Sequence, residues 1–240
     1  MARIWELVLA QAASRRDHAG ITDVCAAAAT SLDVSGAWVI AGDGTRPGQA
    51  MCATDMVGES LAEVQITLGE GPCHEAAVYG LPVLAARLRT DSTGSRWAAF
   101  TDAALRAGAA AVFAFPLRIG AIRLGVLGLY RDQEGPLSIF QLGDALILGD
   151  AAAMVLLDAE ARQPDDPLSG AAPASQSPRL ADHHAEIAQA TGMLTEQLGV
   201  SISVAFARLR AYAYAQDRRL SEVAHDIVTR RLRLDPDPPV

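Results

Sequence analysis

Two apolar runs, Ala111–Ile119 and Ile122–Arg131, meet at Gly120-Ala121, and this stretch restricts the fold more tightly than any other. A two-residue connection with glycine first is the chemistry of a tight β-hairpin. Carrying the pairing outward sets Ile119 opposite Ile122, Leu117 opposite Leu124, Phe115 opposite Val126 and Phe113 opposite Gly128. One face is then wholly apolar, with the missing side chain at Gly128 leaving room for Phe113. The other face pairs Pro116 with Gly125 and Ala114 with Leu127, so it too calls for a covering layer. Arg118 falls opposite Arg123. Like charges in that position repel, so both are expected to point into water or toward an acidic partner.

Around the hairpin, helices and strands are mixed. Residues 3–32 read as helix, broken near Asp17–Gly20, with Ile21, Val24, Cys25 and Ala28 as its apolar stripe. Gly36–Ala41 and Gln49–Thr54 read as strands joined through Gly42-Asp43-Gly44 and Pro47-Gly48. Met56–Ile66 leans helical, and the turn Gly69-Glu70-Gly71-Pro72 feeds a short helix over Cys73–Tyr79. Pro82–Ala86 is a further strand, and Trp97–Gly108 a further helix. The longest helix is Leu137–Arg162. There Ile139, Leu142, Leu146, Gly149, Ala153 and Leu156 recur three and four apart, a seam suited to a partner helix. Ile147, Met154 and Leu157 widen that stripe. Gln141, Asp144 and Asp150 in the same segment are costly in lipid, so no membrane span is expected.

Gln163–Pro178 holds four prolines and no periodicity, which marks a linker. Beyond it, Ala185–Leu232 reads as three amphipathic helices. Their stripes are Ile187, Ala190, Leu194 and Leu198; then Ile202, Ala205, Leu209 and Ala213; then Leu220, Val223, Ala224, Ile227 and Val228. Gly199 is placed to end the first helix and Ser201 to cap the second. The expected division is an α+β domain at 1–162, a linker at 163–178, an all-α three-helix module at 179–234 and a tail at 235–240.

Charge separates the two halves. The chain has 240 residues and a net charge of −8, and all 20 of its basic residues are arginine. Residues 1–178 carry 12 arginines against 20 acids, whereas 179–234 carry 8 against 6. The absence of lysine excludes a Walker-A phosphate loop, Schiff-base chemistry and a protein kinase. Cys25, Cys52 and Cys73 are odd in number and widely spaced, matching neither a disulfide framework nor a zinc site. The N-terminus has no apolar core of a signal peptide, so a soluble, cytoplasmic chain is expected. His18, His74, His183, His184 and His225 form no metal-ligand spacing, and His183-His184 reads as a solvated helix start. No cofactor and no catalytic set is identified.

The hairpin AAVFAFPLRIGAIRLGVLGLY, with Leu68–Cys73 (LGEGPC) followed by Pro82-Val83, resembles the GAF family of small sensory domains over roughly residues 20–160. The resemblance implies a central antiparallel sheet flanked by helices, with a pocket able to hold an unidentified small molecule. It also implies pairing through terminal helices, which Leu137–Arg162 would supply as a homodimer contact. Cys73 has two readings. At a helix start, beside His74, the helix dipole would lower its pKa and favour a redox-active thiolate; alternatively it fills a small buried site.

Residues 185–232 resemble the ANTAR family, RNA-binding three-helix modules of transcription antiterminators. The matching positions are Gln189-Ala190, Gly192 and Leu194, then Ala205 and Leu209-Arg210, then Arg218-Arg219-Leu220 and Val223-Ala224. The GAF-then-ANTAR order is similar to that of actinobacterial-type regulators. Carried onto this chain, the RNA-binding candidates are Gln189, Thr191, Arg208, Arg210, Tyr212, Arg218 and Arg219. Guanidinium forks suit phosphates, and Tyr212 and Tyr214 are placed to stack on unpaired bases of hairpin loops. The family carries Lys at the place of Thr191 and often Asn at that of Asp217, so both changes lower positive charge on the expected RNA face. The expectation is a non-enzymatic, signal-responsive regulator that binds RNA hairpins. The alternatives are a protein-interaction scaffold, or a DNA-binding regulator, which Glu222 at the start of the third helix disfavours.

Overall fold

The strands are β1 (Gly36–Ala41), β2 (Gln49–Ala53), β3 (Val83–Ala85), β4 (Ala111–Ile119) and β5 (Ile122–Arg131). They pair antiparallel throughout, in the order β2-β1-β5-β4-β3. The structure is a computed structural model that describes residues 2–15, 19–42, 48–89, 96–162 and 178–234. It divides into two units between residues 177 and 178. The turn residues expected at 43–47 and most of the linker fall outside the described residues.

In the first unit the sheet is covered on both faces. On one side lie α1 (Ala2–Arg15), α2 (Ile21–Ser31) and α6 (Ile139–Arg162). Their Ile4, Val8, Ile21, Val24, Leu148 and Leu156 pack with Val39, Phe113, Phe115, Leu117, Leu127 and Leu129 of the strands. On the other side lie α3 (Met56–Leu68), α4 (Pro72–Tyr79) and α5 (Ala98–Ala107). There Leu61, Cys73, Ala76, Phe100 and Ala104 meet Trp38, Val112, Ala114, Val126 and Tyr130. Alternate strand residues thus enter two separate cores, as the pleat requires. Asp55 ties local to tertiary structure: one carboxylate oxygen accepts from Gly58 N at the start of α3 (2.7 Å), the other from the Tyr130 hydroxyl (2.9 Å).

The hairpin forms with Ile119 opposite Ile122, but its register differs from simple alternation. Arg118 pairs with Arg123 and Leu117 with Gly125, so Leu124 is the extra residue of a β-bulge. Every pair beyond it moves by one, and Phe115 faces Leu127 while Phe113 faces Leu129. Gly128 therefore lies on the opposite face, next to Trp38 of β1. A Cβ there would stand 2.2 Å from Trp38 Cε2, so the glycine makes room for the tryptophan rather than for Phe113. Both hairpin faces are apolar, so hydrophobic pattern alone does not penalise the one-residue slip.

The arginine pair also has a structural explanation. Arg123 Nη1 donates to the carbonyls of Ala77 and Val78, 3.2 and 2.9 Å away, at the C-terminal end of α4. Arg118 reaches the same helix end beside Gly80. A helix C-terminus carries partial negative charge, which offsets the repulsion expected between them.

Helix α6 turns a different side inward from the one its sequence suggests. Ala145, Leu148, Gly149, Ala152, Ala153 and Leu156 are buried. Ile139, Phe140, Leu146, Met154 and Leu157 are exposed, Phe140 by 83%. The expected partner seam is thus split, with Gly149, Ala153 and Leu156 spent on the sheet. By length and composition Ile139–Ala159 would also pass for a membrane span, but its inner side is core of this unit.

Cysteine usage departs from expectation as well. Cys25 of α2 and Cys52 of β2 are joined by a disulfide across 27 residues, with Cα atoms 6.8 Å apart. Sequence spacing could not reveal this, because it is the packing of α2 on β2 that brings the two together.

Candidate functional site

The second unit consists of α7 (Pro178–Leu198), α8 (Ile202–Ala215) and α9 (Leu220–Val228). Helix α7 begins seven residues before the expected Ala185, so His183 and His184 stand within it rather than at a solvated start. His184 is half-buried, and loss of solvation pushes its pKa down. Leu180, Ala190, Leu194, Leu209, Leu220, Val223, Ala224, Ile227 and Leu234 form the interior. Gly199 closes α7 with φ 63°, and Ser201 holds the N-cap position of α8. The Ser201 hydroxyl lies 3.0 Å from that of Ser203 and makes no cap hydrogen bond.

The seven RNA candidates do not form one cluster. Gln189 is exposed on α7. Thr191 is 4% exposed, and its hydroxyl donates to Ile187 O at 2.7 Å. It belongs to the interior, so its place on the expected RNA face is corrected. Arg208 and Arg210, two residues apart, point to opposite flanks of α8. Arg208 and Tyr212 share one flank, four residues apart. Phe206, Arg210 and Tyr214 share the other, and the Arg210 guanidinium lies over the Phe206 ring, 5.8 Å from its centroid. Arg210 is half-buried, which pushes its pKa down.

Arg218 is held within the fold. Its Nη2 donates to Asp226 Oδ2 at 2.7 Å, and Nε is 3.9 Å from Glu222 Oε2, one turn into α9. This pairing raises the Arg218 pKa and lowers that of Asp226. Arg231 Nη1 approaches the other Asp226 oxygen at 3.8 Å. Arg219, half-buried, supplies the N-cap position of α9. Beside Arg218, His225 Nδ1 lies 2.9 Å from Glu186 Oε1 and links α9 to α7. His183, Glu186, Arg218, Ser221, Glu222, His225 and Asp226 line a groove of about 320 Å³. Among the described residues no group of His, Cys, Asp or Glu is arranged to hold a metal.

Asp217 takes on a different meaning. It sits at φ 49°, in the left-handed conformation that ends α8, with Arg218 N bonded back to Ala213 O at 3.0 Å. Among residues with side chains, Asn and Asp tolerate that conformation best. The residue is therefore fixed by backbone shape as well as by charge. Glu186, Asp226 and Phe206 are the site residues that sequence reasoning missed, and Glu222 was read only as an argument against DNA. The four-residue spacing of Arg218 and Glu222 was a usable signal; the reach from Arg218 to Asp226 was not.

In the first unit, Cys73 is 2% exposed, and its backbone N–H donates to Gln65 Oε1 at 2.7 Å. Burial pushes the thiol pKa up to about 12 against an ordinary 9, with Gln65 and Trp38 opposing weakly. Desolvation outweighs the helix dipole, and the reactive-thiolate reading is corrected in favour of a core filler. Iodoacetamide at neutral pH is accordingly expected to modify Cys73 at least about a hundredfold more slowly in the native chain than in urea. Equal rates would return Cys73 to the list of sensors.

Residues 179–228 match the ANTAR domain. No curated protein sequence matches the chain. Among solved structures, the GAF domain of the phosphoenolpyruvate-protein phosphotransferase from Acinetobacter superposes with a TM-score of 0.50 at 15% identity, covering 66% of this chain and 96% of that one. The GAF-B domain of DevS from Mycobacterium smegmatis is 18% identical, covering 59% and 93%, with a TM-score of 0.42. The chain thus joins a unit of GAF fold to an ANTAR domain over residues 179–228.

Proposed function

We propose that this chain is a non-enzymatic, signal-responsive regulator of transcription whose ANTAR domain binds hairpin-loop RNA and acts in antitermination. The observation that carries the reading is the ANTAR match running through all three helices of the second unit. Exposed or half-exposed Gln189, Arg208, Arg210, Tyr212, Tyr214 and Arg219 furnish the contact chemistry. The functional boundaries we assign are 1–162 for sensing, 163–178 for the linker, 179–234 for RNA and 235–240 for the tail. In the GAF-fold unit the signal is a small molecule rather than the redox state of Cys73, whose thiol is buried and un-ionised. The exposed stripe of α6, Ile139, Phe140, Leu146, Met154 and Leu157, is the surface we assign to a homodimer contact. The regulator acts in the cytoplasm. Glu222 in the first turn of α9, where a DNA-reading helix would present its base contacts, argues against DNA.

Crosslinking in cells tests the reading, with the full chain compared with a chain ending before residue 179. RNA hairpins recovered only with the full chain support it. Recovery of no RNA favours the scaffold, a reading to which the pairing of Arg218 with Asp226 and Glu222 lends weight.

That pairing yields a second expectation. Asp226→Asn leaves Arg218 with Glu222 as its remaining acidic partner and removes a phosphate-repelling charge, so RNA affinity is expected to rise several-fold. The slope of log affinity against log salt should steepen by about 0.7 to 0.9, one further phosphate contact. Replacing both Arg218 and Arg219 with alanine should weaken binding and flatten that slope. Anisotropy titrations across a salt series measure both; an unchanged slope in Asp226→Asn would remove Arg218 from the phosphate contacts.

A further inference from the structure

We infer that Phe206, Arg210 and Tyr214 form a stacking ladder on one flank of α8 that holds an unpaired RNA base. The inference rests on the RNA reading above and adds to it which side of the helix is used. Phe206, Arg210 and Tyr214 are spaced four residues apart within Ile202–Ala215, so their side chains rise one above another on the helix surface. The lower step is in place: the Arg210 guanidinium lies over the Phe206 ring at 5.8 Å. That stacking fixes a planar cation that would otherwise sample many rotamers, so less freedom is lost when it meets a ligand. At the upper step, Tyr214 leaves 62% of its surface to solvent. A large exposed ring one turn from an oriented guanidinium offers a flat face to a base and a fork to the adjoining phosphate. Stacking on an aromatic face tolerates any base, because every base has a π surface.

Ring exposure and the placement of acids distinguish the two flanks of α8. Arg208 and Tyr212 lie on the side nearer Arg218, with Tyr212 within electrostatic reach of its guanidinium. Arg218 is in turn engaged by Asp226 and Glu222. With Glu186, these are three of the six acids in residues 179–234, and all three line the groove beside Arg218. A phosphate approaching that side meets Arg208 beside this acidic group, with the Arg218 guanidinium already paired. On the other flank the Arg210 guanidinium is stacked on the Phe206 ring, and the Tyr214 ring is exposed. Of the two tyrosines that the sequence offers for stacking, the exposed Tyr214 rather than the half-buried Tyr212 is the one we assign to the ladder.

The test uses the full chain and a pool of RNA hairpins of one fixed stem with a randomised loop. 2-Aminopurine at one loop position reports stacking by loss of fluorescence, and a blunt duplex of the same stem is the reference. Tyr214→Ala is expected to weaken hairpin binding about 5- to 150-fold, the range for loss of one stacked base. It should abolish the 2-aminopurine quench and leave duplex binding unchanged. Tyr214→Phe, which keeps the ring, should bind and quench like the wild type. Arg210→Lys, which keeps charge but not the plane, should weaken the hairpin complex, while Tyr212→Ala should leave the quench in place. Because Tyr214 is exposed, circular dichroism should show an unchanged fold. If the wild type binds the hairpins and Tyr214→Ala does so equally with the same quench, the ladder is wrong and the RNA reading stands. Failure of the wild type to bind either RNA overturns both.

Discussion

Gly128→Val is expected to destabilise the first unit by about 3 kcal/mol, the upper end of ordinary overpacking in a core. The position sits in the middle of β5, directly opposite Trp38 of β1, and the indole is fully buried. A Cβ alone would lie 2.2 to 2.6 Å from three ring atoms of Trp38. The ring has little room to move, since Leu61, Val112, Val126 and Phe100 belong to the same core. Tryptophan fluorescence in a urea titration reads this unit selectively, because Trp5, Trp38 and Trp97 all lie in it. Adding Trp38→Leu to Gly128→Val should recover part of the loss, whereas adding Phe113→Ala should deepen it. The opposite pattern would restore the simple alternating register, in which Gly128 faces Phe113. The double-mutant comparison therefore tests the bulge at Leu124 itself.

Removing the Cys25–Cys52 disulfide should have an effect of similar size. In the chain-entropy account, a bridge closing a loop of 27 residues stabilises the folded state by about 3 to 4 kcal/mol. Cys25→Ala with Cys52→Ala, or simple reduction, should lower the urea midpoint of the tryptophan transition accordingly. Thiol counting after denaturation provides the direct check: one alkylated cysteine, Cys73, before reduction and three after it. Three alkylated cysteines before reduction would show the pair to be unbonded in the isolated protein. Since reducing compartments hold most such pairs open, the stability of this unit depends on the surroundings of the chain as well as on its contacts.

The sequence made the elements legible and their faces less so. Short apolar runs bounded by turn residues located β1 to β5, glycine at Gly108 and Gly199 ended helices, and the three-helix pattern gave α7 to α9. Periodicity fails where two faces are equally apolar. In the hairpin this hid the one-residue bulge, and in α6 it hid which of two apolar stripes meets the sheet. The candidate site was legible only as residue types. Thr191 looked like a lost cation when it is an interior hydroxyl bonded within its own helix. Arg218 looked like a phosphate ligand, yet its guanidinium meets Asp226, eight residues on, and a turn and a helix start had to be built before that contact could be seen. Cys73 was judged by its helix end; desolvation, the stronger influence, depends on the three-dimensional surroundings.

The narrow inner stripe of α8 has a geometric consequence. Its fully buried residues are Ala205, Leu209 and Ala213, so two of the three spacers between this helix and its neighbours are single methyl groups. Interaxial distance follows the size of the side chains at the contact. A larger residue at 205 or 213 would lift the whole helix outward and carry Arg210 and Tyr214 with it. Two methyl groups thus set the reach of this surface toward a ligand, from positions that the ligand itself would never touch.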